Sequence, residues 1–343
     1  MHYFDSATIE GSVYLHQIGN KQNGEPLILS KAPLKLNEDI SLSLKRYFLS
    51  HFKPSEYYSF FHEASLSLNE VYNYVSSIFE DVSTFEEQSK YLAQTLYRNS
   101  IHPNIKSGEF YVVRFRNCIL DGQFVDAVGL FKSENKDAFL KVFRSNDGFV
   151  ISQELGVNIN KLDKGCLIFN SNKHEGYIVS VVDNSNRGEA KYWVDSFLQV
   201  KRRNDGRTQT QKMVKMCRDF IMQLPDDVNK LEKVEMMNRI VNGLKTDNVD
   251  VAKIARNAFG NKLADNQFVS FKTQFEEQHD IKFDDIFVGK PDSIKKQVVE
   301  SITTIKLDSN FDISIHGGEH LIERGYNTKI GKHYYILYFD EEK

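Results

Sequence analysis

Apolar positions mix strand and helical spacing in the first third of this chain, repeat with strand spacing through its middle, and turn to helical spacing beyond residue 190. Residues 12–18 (SVYLHQI) read as a strand, followed by a turn-rich stretch at 19–26. Across 39–52, Ile40, Leu44, Tyr47 and Phe48 fall on one side of a helix. Thr84-Phe85-Glu86-Glu87 has the form of a capping box and predicts a helix carrying Phe85, Leu92 and Leu96.

From about residue 109 the texture becomes β. FYVVRFRNCIL (110–120), FVDAVGLFK (124–132), AFLKVF (138–143), GCLIFN (165–170) and GYIVSVVD (176–183) are short and rich in Val, Ile and Phe. Gly, Asn and Asp separate them, as in an antiparallel sheet. No long helix intervenes, which argues against a doubly wound fold.

After Asn184-Ser-Asn-Arg-Gly188 the pattern turns helical. Trp193 and Phe197 stand at i, i+4, and Met213, Met216, Cys217, Phe220, Ile221 and Leu224 form an amphipathic stripe. Helical spacing continues through 230–244, 249–259 and 263–278, and strands return at 302–307, 313–315 and 333–339. These elements predict an α+β protein: an antiparallel β-rich N-terminal and central part, a helical region, and C-terminal strands. With 343 residues, two domains are expected, divided at 1–200 and 201–343.

Charge sharpens the picture at one place. The chain carries a net charge of −3, yet residues 199–218 hold Lys201, Arg202, Arg203, Arg207, Lys212, Lys215 and Arg218 against the single acid Asp205. A weakly acidic protein with one concentrated basic segment is suited to meeting a polyanion there. On a helix starting near Thr208, Lys215 falls opposite the Met/Phe stripe, flanked by Lys212 and Arg218. Lys201, Arg202, Arg203 and Arg207 occupy the connection leading in. The helix N-terminus would add free N–H groups suited to phosphate, completing a backbone clamp. The bland alternative is a solvated helix face behind a loop that keeps the protein soluble.

Cys118, Cys166 and Cys217 are far apart, odd in number and without a CxxC pair, which argues against a zinc ribbon or a disulfide framework. The N-terminus shows no signal-peptide pattern, and no segment approaches the ~20 apolar residues of a membrane span. These features predict a cytoplasmic protein that does not enter a membrane.

LDKGCLIFN (162–170), the GYIVSVVD strand, EAKYWVDSFLQVKRRND (189–205) and QTQKMVKMCRDF (209–220) together resemble the bacterial NdpA/YejK-type nucleoid-associated proteins. GEFYVVRF (108–115) and AVGLFKSENKDAFLKVF (127–143) add to the likeness, which is clearest from 107 to 220. The resemblance implies a cytoplasmic, nucleoid-associated protein that binds DNA without marked sequence preference and has no established enzyme activity. It supplies no defined binding residues, so the seven cations above are assigned from charge alone. Double-stranded DNA is the expected partner, with a symmetric homodimer compatible with it. No cofactor, metal or catalytic residue is expected.

Three patterns offer other chemistry. Asp183 followed by Glu189 and Lys191 has the D…ExK order of Mg²⁺-dependent nucleases, but the segment from Glu189 reads helical where that scheme needs a strand. His316-Gly-Gly-Glu319-His320 lacks the helix that would join its imidazoles at one metal, and Gly325–Lys332 reads as a hairpin turn rather than a phosphate loop. Residues 249–278 could form a helix-turn-helix with Lys253, Arg256, Lys262 and Lys272 as contacts, although Phe268, Phe271 and Phe275 on its second helix look like core. A protein-interaction adaptor, its basic segment meeting an acidic surface, is the remaining alternative.

Overall fold

A computed structural model describes residues 4–52, 57–120, 122–146, 148–184, 192–225, 228–260 and 263–341. The chain divides into two compact units, Met1–Arg203 and Asn204–Lys343. The boundary lies three residues beyond the one expected from sequence.

The first unit is built on an eight-stranded antiparallel sheet. Its strands are β1 (Thr8–Ile18), β2 (Leu27–Ile28), β3 (Tyr58–Phe60), β4 (Gly108–Leu120), β5 (Gln123–Ser133), β8 (Lys164–Phe169), β9 (Ile178–Asp183) and β10 (Val200–Arg202). They lie in the order β10-β3-β9-β8-β5-β4-β1-β2. A separate hairpin, β6 (Asp137–Ser145) and β7 (Gly148–Gly156), is inserted between the sheet neighbours β5 and β8.

Both faces of the sheet are covered, which explains its dense Val, Ile and Phe content. Phe110, Val112, Val128, Leu130, Cys166 and Ile168 face one way and pack with α2 (Glu70–Glu80), α3 (Phe85–Arg98) and a π-helical turn, Tyr192–Leu198. The alternating set Tyr111, Val113, Phe115, Phe131, Leu167 and Phe169 faces α1 (Glu38–Leu49). Gly129 sits on this second face, where an added Cβ would come within 2.4 Å of the Phe131 ring. Trp193 and Phe197 are buried as their spacing suggested, though in a π rather than an α turn.

The Thr84 capping box does not form. Thr84 has helical dihedrals and makes no side-chain cap bond to α3. A short 3₁₀ turn, Val82–Thr84, leads directly into α3, and Asp81 caps that turn by accepting from the Ser83 N–H. Thr84 Oγ1 is turned back to donate to Asp81 O at 2.7 Å.

The second unit packs α4 (Gly206–Met222), α5 (Lys230–Gly243), α6 (Val251–Phe259) and α7 (Val269–His279) around one apolar core, with α8 (Lys296–Thr303) beside them. Every member of the Met213–Leu224 stripe is buried. Phe220 meets Phe259 and Phe268 edge-on, at ring separations of 4.9 and 5.3 Å. Phe268 and Phe275 are likewise buried, so the proposed recognition helix is turned into the core. Lys272 is paired with Glu276 at 2.9 Å, and Lys262 lies outside the described residues.

Strands β11 (Val249–Asp250), β12 (Ile286–Phe287), β13 (Thr304–Leu307), β14 (Phe311–Ser314), β15 (Ile322–Asn327) and β16 (Lys332–Leu337) pair in antiparallel twos. The Gly325–Lys332 motif is the β15–β16 hairpin. Gly317 and Gly318 both have positive φ, so the stretch from His316 to His320 bends instead of forming one helix.

Candidate nucleic-acid interface

The basic segment spans the division between the two units. Lys201, Arg202 and Arg203 belong to the first, whereas Arg207, Lys212, Lys215 and Arg218 belong to the second.

The first three are not in a free connection. Lys201 and Arg202 lie on β10, the outermost strand of the sheet, in register with Ser59 and Tyr58 of β3. Both side chains are exposed, and strand geometry sends them to opposite faces. Lys201 Nζ sits 3.2 Å from the centroid of the Phe61 ring, a cation–π contact. It lines a cavity of about 430 Å³ with Phe61, His62, Glu63, Asp195, Gln199 and Val200.

Arg203 is spent internally. Its guanidinium donates to Ser59 Oγ at 2.7 Å, to Tyr177 O at 3.4 Å and to Glu175 Oε2 at 2.6 Å, leaving the side chain 8% exposed.

In the second unit, α4 begins at Gly206, where an added Cβ would stand 2.1 Å from Val288 O. Close approach to that backbone therefore requires glycine. The expected phosphate clamp at this helix start is not open. Asp205 is the N-cap, and its Oδ1 accepts from the Thr208 N–H at 3.0 Å. A carboxylate already occupies the pole that a phosphate would use. Gln209 and Thr210 are buried and tied inward, Gln209 to Asp284 and Thr210 to the Lys290 N–H.

Arg207 pairs with Asp292 at 3.0 Å, and Arg218 Nε donates to Asp219 Oδ1 at 2.8 Å. Lys212 and Lys215 are half-buried on the outward side of α4. Lys215 Nζ donates to His279 Nε2 at 2.9 Å, while His279 Nδ1 donates to Phe275 O at 3.1 Å. That pattern requires a neutral imidazole. Partial burial and the ammoniums of Lys215 and Lys212 hold His279 below its ordinary value, against the Phe275 carbonyl.

Folding thus brings carboxylates that include Glu175, Asp292 and Asp219 to a segment whose sequence held six net positive charges. Lys201 and Arg202 are exposed at the edge of the first unit's sheet, and Lys215 lies on the outward side of α4 in the second unit. The alternative nuclease constellation is only partly in view. Asp183 ends β9, as that scheme needs, but its Oδ1 is bound by the buried Lys164 ammonium at 2.6 Å. Glu189 and Lys191 lie outside the described residues.

The family model for nucleoid-associated protein YejK matches residues 15–333, nearly the whole chain. The chain belongs to the nucleoid-associated protein YejK family. The match reaches across most of both units of this YejK-family protein and covers the whole basic segment. No curated protein matches the chain. Among the described residues, no helix is long and apolar enough to cross a membrane.

The ion-pair partners of the YejK-family segment could not be seen in sequence. Glu175 is 28 positions from Arg203, and Asp292 is 85 from Arg207. Only Asp219, adjacent to Arg218, was visible as a neighbour. Phe61 carries no signal that would connect it to Lys201.

Proposed function

We infer that this protein grips the phosphate backbone of duplex DNA at the nucleoid, in the cytoplasm, without reading base sequence and without cleaving the strand. Membership of a nucleoid-associated family supports this reading. The observation that carries it is the exposed Lys201–Arg202 pair on β10, an edge strand of the first unit's sheet. Contacts of this kind supply affinity and register but no base information. Arg203, Arg207 and Arg218 act chiefly by holding structure, since each would have to leave a carboxylate to meet a phosphate. A lysine at a sheet edge also discourages edge-to-edge association, and the experiment below separates the two roles. The ammonium of Lys164 on Asp183 supports the non-catalytic reading, because it occupies a carboxylate that a metal ion would need. Two symmetry-related copies would present two such surfaces and gain avidity by linking them.

The test is a salt titration of duplex affinity for the wild type and for a Lys201→Ala/Arg202→Ala variant, on two unrelated sequences. Each lost contact should lower the log–log salt slope by about 0.9, equally on both sequences. An unchanged slope and affinity would place the contacts elsewhere.

A further inference from the structure

The β6–β7 hairpin is an apolar arm without a core. No buried apolar cluster among the described residues draws a side chain from 137–156. Cross-strand register places Ala138 opposite Leu155, Leu140 opposite Gln153, Val142 opposite Ile151 and Arg144 opposite Phe149, all on one face. On that face Leu140 is 68% exposed, Ile151 64% and Phe149 79%. The arm's base is anchored. Asp163 accepts from the Glu134 and Asn135 N–H groups at 2.7 and 2.9 Å, and Asp137 holds Asn158 and Lys161 at 2.7 and 2.9 Å. An isolated two-stranded hairpin is marginal in water, and a firmly rooted one with a bare apolar face is built to be covered.

We propose that a second copy of this chain covers it, the two arms packing face to face about a two-fold axis. The size of the face supports a pair of copies. Leu140, Val142, Phe149, Ile151 and Leu155 are 68, 58, 79, 64 and 67% exposed, and offer about 600 Å² taking roughly 200 Å² for the free phenylalanine and somewhat less for each aliphatic side chain. Two copies would bury about 1,200 Å², at the lower end of the range of stable protein interfaces. The charge pattern supports antiparallel arms. Arg144 is the sole charge on the face and carries no carboxylate partner within it, so parallel arms would set two guanidiniums together. Antiparallel arms separate them by about 20 Å, six residues of strand, and bring each tip over the partner's base. A two-fold axis then passes between the Leu140 and Val142 rungs and makes the contact self-complementary.

This inference concerns assembly and does not rest on phosphate binding. Its test contains no nucleic acid, so the two readings fail separately. Light scattering after size exclusion should give the wild type twice the 39.7 kDa chain mass, and a Leu140→Asp/Ile151→Asp variant 39.7 kDa with unchanged far-UV circular dichroism. A second measurement does not depend on that variant folding. Val142→Cys should be joined between copies by a short bis-maleimide, whereas Lys141→Cys, on the opposite face, should not; the native Cys118, Cys166 and Cys217 are buried. A monomeric wild type across the micromolar range, a dimer surviving in the double variant, or equal cross-linking from both faces would overturn the proposal.

Discussion

The ammonium of Lys132 lies 3.0 Å from the phenolic oxygen of Tyr192, and both groups donate to the same oxygen of Glu134, at 2.9 and 2.6 Å. Lys132 is fully buried and Glu134 nearly so. Lys132 also donates to Lys106 O at 2.6 Å, and the buried Lys164 ammonium stands 5.0 Å from the centre of the Tyr192 ring. The cluster joins the ends of β5 and β8 to the turn that precedes β10. It thereby fixes the base from which the exposed cations project.

Such charges are tolerable only while paired. Lys132→Met should cost about 3–5 kcal/mol, because Glu134 is left buried without its cation. Replacing both, as Lys132→Met/Glu134→Leu, should recover most of the loss. Urea unfolding of the three proteins checks this, and a double variant no more stable than the single one would contradict it.

Acid should weaken the fold through two groups. Burial pushes the Glu134 carboxyl up, but the ammoniums of Lys132 and Lys164 and the Tyr192 hydroxyl outweigh it and hold it below its usual value. His16 accepts from the Ser30 N–H at Nδ1, and burial, with Lys90 nearby, lowers it to about 4. Both folded values lie below the unfolded ones, so the stability they confer is present at neutral pH and lost on acidification. His16 acts from about 6.5 down to about 4, where a shift of this size is worth on the order of 2–3 kcal/mol. Urea unfolding across this range should show falling stability, and a two-dimensional NMR titration should find the His16 ring neutral until about pH 4. A ring titrating near 6.5 would contradict the assignment.

Asp183 distinguishes architecture from catalysis. Asp183→Asn removes the charge that balances the fully buried Lys164, so thermal stability should fall by several degrees. Supercoiled plasmid incubated with Mg²⁺ should stay intact with either protein. Nicking by the wild type that is lost in Asp183→Asn would reverse this reading.

Arginines 202 and 203 are adjacent, yet they should behave oppositely. Arg203→Ala releases Ser59, Tyr177 and Glu175 and should cost about 2–3 kcal/mol of stability, with little change in the salt slope. Arg202→Ala, on the exposed edge strand, should lower the slope. Paired denaturation and anisotropy measurements decide between them.

The contrast between these neighbours shows how far the sequence could be read. Alternation in FYVVRFRNCIL marked β4, and the Met213–Leu224 stripe marked the buried side of α4, because burial imposes a period on residues close in sequence. Strand β15 (IERGYN) went unseen, since a polar, exposed hairpin imposes no such period, and α8 is too short to establish one. The basic segment was legible as charge but not as a surface. Whether Arg203 or Arg207 faces water is decided by Glu175 and Asp292, which only the folded chain brings near.

Asp205 provides a test in which stability and affinity move in opposite directions. Its carboxylate caps α4 by accepting from the Thr208 N–H, and a cap of this kind is worth about 1 kcal/mol. It is also the only acid between Gln199 and Arg218, so its field opposes any phosphate approaching the segment. Asp205→Ala should therefore lower stability by about that amount while tightening duplex binding several-fold at low salt, the gain fading as the ionic strength rises. Asp205→Asn keeps a capping oxygen without the charge, so it should retain the stability and still bind more tightly. If both variants lost stability and neither gained affinity, the segment would be a structural joint and phosphate would be held on another surface.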